Sequence, residues 1–138
     1  MARRIIKLLG EPVQNEDSKA AEVITPGHLV TFDSNGDLIK HNSAGGFTTT
    51  AFALEREEMG DDIDETYAVL DTVKVGVFGR GTRVLALIAS GQNLVKGDYL
   101  ESAGNGTLRK FAAGTRLARS LETTGAVVAT QRLRTEIV

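Results

Sequence analysis

TPGHLVTFDSNGDLIKH (residues 25–41) lies over VKGDYLESAGNGTLRKF (residues 95–111) without a gap. The spacing of 70 positions holds for Gly27/Gly97, Asn35/Asn105, Gly36/Gly106, Leu38/Leu108 and Lys40/Lys110. Asn-Gly between alternating apolar residues is a strong short hairpin signal, because type I′ turns need positive φ at both central positions and Asn and Gly tolerate it. The retained residues are therefore the turn, the glycine that introduces the first strand, and an inward leucine on the second. Two related hairpins predict a barrel of two similar halves, each supplying a hairpin and the strand after it, with Leu38 and Leu108 both facing inward.

Working outward, TTTAFALE after the first hairpin is matched by TRLARSLE after the second, with Ala51 near Ala118 and Leu54 near Leu121. Between them, Val73, Val75 and Val77 alternate with Lys74 and Gly76 as a half-buried strand does. TVKVGVF and TRVLALIA read as a pair reversing at Gly79-Arg80-Gly81, with Arg80 at an exposed tip. At the C-terminus Leu133 and Ile137 share one strand face, opposite Arg132, Arg134 and Glu136. Eight or nine short strands, fifteen glycines, two prolines and almost no helix predict an all-β fold, a small barrel of short antiparallel strands. A barrel also removes the free sheet edges that invite aggregation.

At 138 residues the chain is one domain's worth. Residues 23–138 are expected to form that domain, and residues 1–22 an extended N-terminal arm. The arm opens with Arg3, Arg4 and Lys7 beside Ile5, Ile6, Leu8 and Leu9, a cationic and apolar segment suited to a groove. A short helical turn, N-capped by Asp17 or Ser18, is expected before Pro26-Gly27 ends it. The arm's aliphatics equally suit an edge strand or a cap on their own barrel.

With no cysteine there is no disulfide, thiolate nucleophile or Cys-based metal site. The apolar fraction of 41% and charged fraction of 25% are those of a soluble globular protein. No apolar run approaches membrane-spanning length and no signal peptide is evident, so no membrane partner is expected and synthesis in a cytoplasm is. The net charge of −2 argues against a general nucleic-acid binder. His28 and His41, at the two ends of the first hairpin, are conceivable as a shared metal or acid–base pair, yet their counterparts are Asp98 and Phe111, so the hairpin works without them. DSNGD at residues 33–37 lacks the downstream glutamate of a calcium loop, and the acidic run at residues 57–65 reads as a solvated loop. GVFGRGT matches neither a dinucleotide fingerprint nor a Walker loop. No catalytic residue, cofactor or metal ligand is assigned, which leaves a structural or binding protein.

The order PGHLVTFDSNGDLIKHNSAGG, AFALE, an acidic loop, DTVKVGVFGRGTRVLALIASGQNLVKGDYLESAGNGTLRKFAAG and ARSLE resembles the head decoration (cement) proteins of tailed bacteriophages. The resemblance covers residue 23 to the C-terminus. It implies a β-barrel or β-tulip subunit that forms a homotrimer on the outer surface of the expanded capsid. There it would clamp neighbouring major capsid proteins, with no cofactor and no nucleic-acid partner. Family members often use terminal arms for contact. Together with the apolar and arginine-rich surfaces of the chain, this nominates Arg3, Arg4, Ile5, Ile6, Leu8, Leu9 and Arg80 for capsid or intersubunit contact. Three readings compete: a single-stranded nucleic-acid-binding barrel, an enzyme built on the two histidines, and another virion component of tail or connector.

Overall fold

The computed structural model describes residues 5–12, 14–15, 17–56 and 63–138, and these residues form strands and turns without a helix. Arg3, Arg4 and residues 57–62 of the acidic run lie outside the described residues.

The second half of the chain closes on itself. β9 (Arg83–Ile88) pairs with β15 (Gln131–Ile137), which pairs with β13 (Ala118–Ser120), then β11 (Tyr99–Ser102), then β12 (Leu108–Lys110). β12 returns to β9 through the parallel pair Leu108↔Ile88, completing a five-stranded barrel. β10 (Asn93–Leu94) and β14 (Gly125–Ala126) form a separate two-stranded pair. The pleat explains the barrel's interior: Leu133, Thr135 and Ile137 are buried along β15, while Arg134 and the half-buried Arg132 and Glu136 alternate with them on the outer side. Fully burying each such aliphatic contributes roughly 1.5–3 kcal/mol.

The first half repeats this circuit with shorter strands. β2 (Gln14–Asn15) and β3 (Ser18–Lys19) pair with β8 (Val75–Val77) and β7 (Thr72–Val73). β8 pairs with β6 (Ala51–Ala53), which meets β4 (Val30–Phe32) through the bridge Leu29↔Phe52. β4 pairs with β5 (Leu38–Lys40), and the parallel bridge Ala20↔Leu38 closes the ring. Register is kept throughout. Val30↔Lys40, Thr31↔Ile39 and Phe32↔Leu38 recur 70 positions on as Leu100↔Lys110, Glu101↔Arg109 and Ser102↔Leu108. Leu38 and Leu108 are both fully buried, in the interiors of their respective rings. The duplication thus reaches beyond the hairpins to residues 14–78 and 82–138.

Three expectations need correction. Ser18–Lys19 is strand, not helix, because its backbone groups are taken by Thr72 and Val73. The segments flanking Gly79-Arg80-Gly81 do not pair with each other: β8 joins the first ring and β9 the second, so the reversal links the two halves. The Asn-Gly turns are hairpin turns, but not type I′. Gly36 and Gly106 hold positive φ (82° and 81°), whereas Asn35 and Asn105 do not. In the first turn Gly36 N–H donates to the Asp33 carbonyl, and Asp33 Oδ1 accepts from the amides of Asn35 and Asp37, a side-chain clamp that makes left-handed Asn unnecessary. Strands are also shorter and more numerous, fifteen among the described residues.

The opening of each hairpin shows one device built from two chemistries. Residues 25–28 and 95–98 form tight turns, with Gly27 and Gly97 at φ 101° and 99°. His28 Nδ1 accepts the Thr25 N–H at 3.0 Å in the first; Asp98 Oδ2 accepts the Val95 N–H at 2.9 Å in the second.

Candidate functional site

The opening residues join the second ring. β1 (Lys7–Leu9) pairs antiparallel with β9 and is the terminal strand of the six-stranded sheet. Ile6 is fully buried in the chain's own core, and its N–H donates to the buried Glu55 carboxylate at 3.1 Å. Ile6 is therefore unavailable to a partner, unlike Ile5, Leu8 and Leu9, which are exposed. Leu8 and Leu9 line a shallow groove with Leu121 and the guanidinium-bearing Arg83 and Arg134. Gly10 abuts Thr82, where a Cβ would meet Thr82 Cγ2 at 2.9 Å, so the exposed Arg80 turn lies beside the end of β1. The structure thus gathers Leu8, Leu9 and the Arg80 turn along one edge.

Glu55 is the latch of this edge. Glu55→Ala is expected to lower stability by about 1–2 kcal/mol by stranding a buried N–H. It should also raise hydrogen exchange at the β1 amides; unchanged protection there would show that β1 is held by other contacts.

A seam joins the halves, and sequence reasoning missed it. Leu29, Phe52, Leu54 and Phe78 belong to the first half but face out of its ring and pack into the same core cluster as the second ring. Phe52 and Phe78 meet at 6.2 Å between ring centroids. Gly106, at the tip of the second hairpin, donates to the His41 carbonyl and accepts from the Leu29 N–H. A Cβ at Gly106 would stand 2.8 Å from Lys40 Cβ, so the approach requires glycine. Arg132 of β15 reaches the Pro26 carbonyl and the Asp64 carboxylate.

Both histidines sit at this seam, apart in role. His41 Nδ1 shares a 2.6 Å hydrogen bond with Ser102 Oγ, whereas His28 caps its own turn. Burial, with Lys40 and Arg132 nearby, lowers the His28 pKa to about 4, and burial lowers that of His41. Such residues are suited to holding the seam as neutral rings. No cluster of His, Asp and Glu among the described residues could hold a metal ion.

Glu101, buried beneath Gly45 of the first half, ties the second hairpin to the loop that follows it. Its carboxylate accepts from the amides of Ala112 and Gly114 and from Arg109 at 2.8 Å. The Ala112 hydrogen bond leads the causes that lower its pKa to about 2, the Arg109 guanidinium and the Gly114 amide adding to it. On the second half's open face the Arg116 guanidinium lies over the rings of Tyr99 and Phe111, at 4.6 and 4.9 Å from their centroids.

No family model matches the chain, and no curated protein matches it. A solved structure does: the N base of the head fibre protein gp8.5 of bacteriophage phi29 shares its fold with a TM-score of 0.59 at 11% sequence identity, over 91% of this chain and 93% of that one.

Proposed function

We propose that the chain is a structural component of a bacteriophage head, and specifically a decoration protein. In this reading it binds the outer surface of the expanded head as a homotrimer and stabilises contacts between major capsid proteins, without catalysis, cofactor or nucleic acid. It would be made in the host cytoplasm and reside on the virion. The observation that carries the reading is the fold shared with the phi29 head fibre base across nearly the whole of both chains. The strand-and-turn order of residues 23–138, read as a resemblance to decoration proteins, is what narrows the head role to that one.

Function without an active site is physically sufficient. Several modest contacts linked in one oligomer act at high effective concentration, so weak individual sites give firm attachment. The edge bearing Leu8, Leu9 and the Arg80 turn offers exposed aliphatic and cationic groups for such contacts.

Co-sedimentation with expanded, undecorated phage heads tests the reading. Wild-type protein is expected to bind saturably and to slow heat-induced rupture of the heads. The double variant Leu8→Asp/Leu9→Asp, which changes only exposed side chains, is expected to bind at least about tenfold more weakly. Absence of binding to heads, or retention of single-stranded DNA in its place, would overturn the proposal.

A further inference from the structure

The internal repeat defines a contact surface that one copy leaves open. In the first half, the Leu29 N–H and the His41 carbonyl are parted and bridged by Gly106 of the second hairpin. Their equivalents 70 positions on are the Tyr99 N–H and the Phe111 carbonyl. Phe111 N–H still donates to the Tyr99 carbonyl, as His41 N–H does to that of Leu29, but among the described residues the Tyr99 N–H and Phe111 carbonyl have no partner. A second correspondence points the same way. Residues 44–46 of the first half lie against the second hairpin, with Gly45 N–H donating to the Ser102 carbonyl at 2.8 Å and its carbonyl accepting from Thr115 N–H at 2.9 Å. The equivalents of Ser102 and Thr115, Phe32 and Thr48, line an open groove with Val30, Thr49 and Ala51.

From these correspondences we infer that a second copy of this chain docks head to tail. The first hairpin of one copy would lie on the Tyr99–Phe111–Arg116 face of the next, in the place the second hairpin takes on the first half. The bonds would not be those of Gly106, because Gly36 N–H is held by the Asp33 carbonyl and the Gly36 carbonyl accepts from Ser18 Oγ, so the contact would rest on side chains. The chemistry of the two surfaces agrees. The incoming hairpin carries Asp33 and Asp37 at its tip and a 39% exposed Phe32; the receiving face carries Arg116, Lys110 and a 40% exposed Tyr99. Phe47, 81% exposed, immediately precedes Thr48 of the groove in sequence. Tyr, Arg and Phe are the anchors that association surfaces favour. Such a contact is heterologous, so it closes into a ring or continues as a chain according to the rotation between copies. The inference deepens the self-association part of the proposed function but rests on the repeat; a protein that associates through this face yet ignores phage heads would separate the two.

The test is solution mass by light scattering across a concentration series up to millimolar, with Asp37→Lys and Arg116→Glu as single variants. Wild-type protein is expected to reach a multiple of 14.7 kDa, and each reversal to weaken association about tenfold or more. Mixing the two variants should restore it. The unaltered hairpin of the Arg116→Glu variant then meets the unaltered face of the Asp37→Lys variant, and the two reversed surfaces again carry opposite charges. Thermal melts identical to wild type would show that both variants fold; should either fail to fold, Phe32→Glu on the exposed tip takes its place. A wild-type protein that stays monomeric throughout, or an association indifferent to both reversals, would overturn the inference.

Discussion

Phe52→Ala is expected to cost about 3–5 kcal/mol, whereas Arg119→Ala, at the equivalent backbone position of the second half, should cost less than about 1 kcal/mol. The two residues occupy matching registers, Phe52 opposite Gly76 on β8 and Arg119 opposite Glu136 on β15. Both point out of their rings. Phe52 points into the seam and is fully buried, so its removal leaves a cavity against Phe78 that the β-strands around it cannot collapse to fill. Arg119 points to the open face and makes a 2.9 Å ion pair with Glu136 in which both partners keep solvent contact. Urea denaturation of the two variants measures the difference. Similar losses would mean that the halves are not joined as described.

Acidification is expected to weaken the fold in two stages. The His28 pKa lies near 4 in the folded chain, below the ordinary 6.5, so the unfolded chain takes up the proton first. The stability owed to the neutral ring is complete above pH 6.5 and lost as pH falls toward 4, by up to about 3 kcal/mol. His41, shifted the same way by burial, adds to this stage. Glu101 behaves as a carboxylate with a depressed pKa: its contribution is intact above about pH 4.5 and disappears as pH falls toward 2. Unfolding free energies measured from pH 8 to pH 2 should therefore show a first decline that His28→Asp reduces to the share owed to His41. That variant installs the acceptor used by Asp98 in the second half, so the turn is expected to survive. A first decline unchanged in His28→Asp would assign it to another group.

What the sequence made legible follows from where local chemistry was decisive. The two Asn-Gly hairpins, the inward pair Leu38 and Leu108, and the alternation of β15 were read correctly because turn residues and a period of two act over short distances. The extent of the duplication was hidden. β2 and β3 are two-residue strands without alternation, and the parallel closures Ala20↔Leu38 and Leu108↔Ile88 join segments that no local pattern links. The pairing of TVKVGVF with TRVLALIA was misread because adjacency in sequence favours a hairpin, whereas each run is claimed by its own ring. Among the nominated contact residues, Ile6 looked no different from Ile5; only the Glu55 carboxylate and the core beneath distinguish them. The seam residue Phe52 gave no signal, since an outward apolar residue on a barrel strand declares itself only when a second body covers it.

The unequal lengths of two pairings have a mechanical consequence. β1 meets β9 through two registered pairs, Lys7↔Val84 and Leu9↔Arg83, with an irregularity between them, while β15 meets β9 through six. Tension applied through the opening residues falls on the shorter ladder first. β1 would peel away and release slack at about 3.3 Å per residue while both rings stay shut. A strand so placed would act as a fuse, giving way under a passing load before the closed rings behind it open.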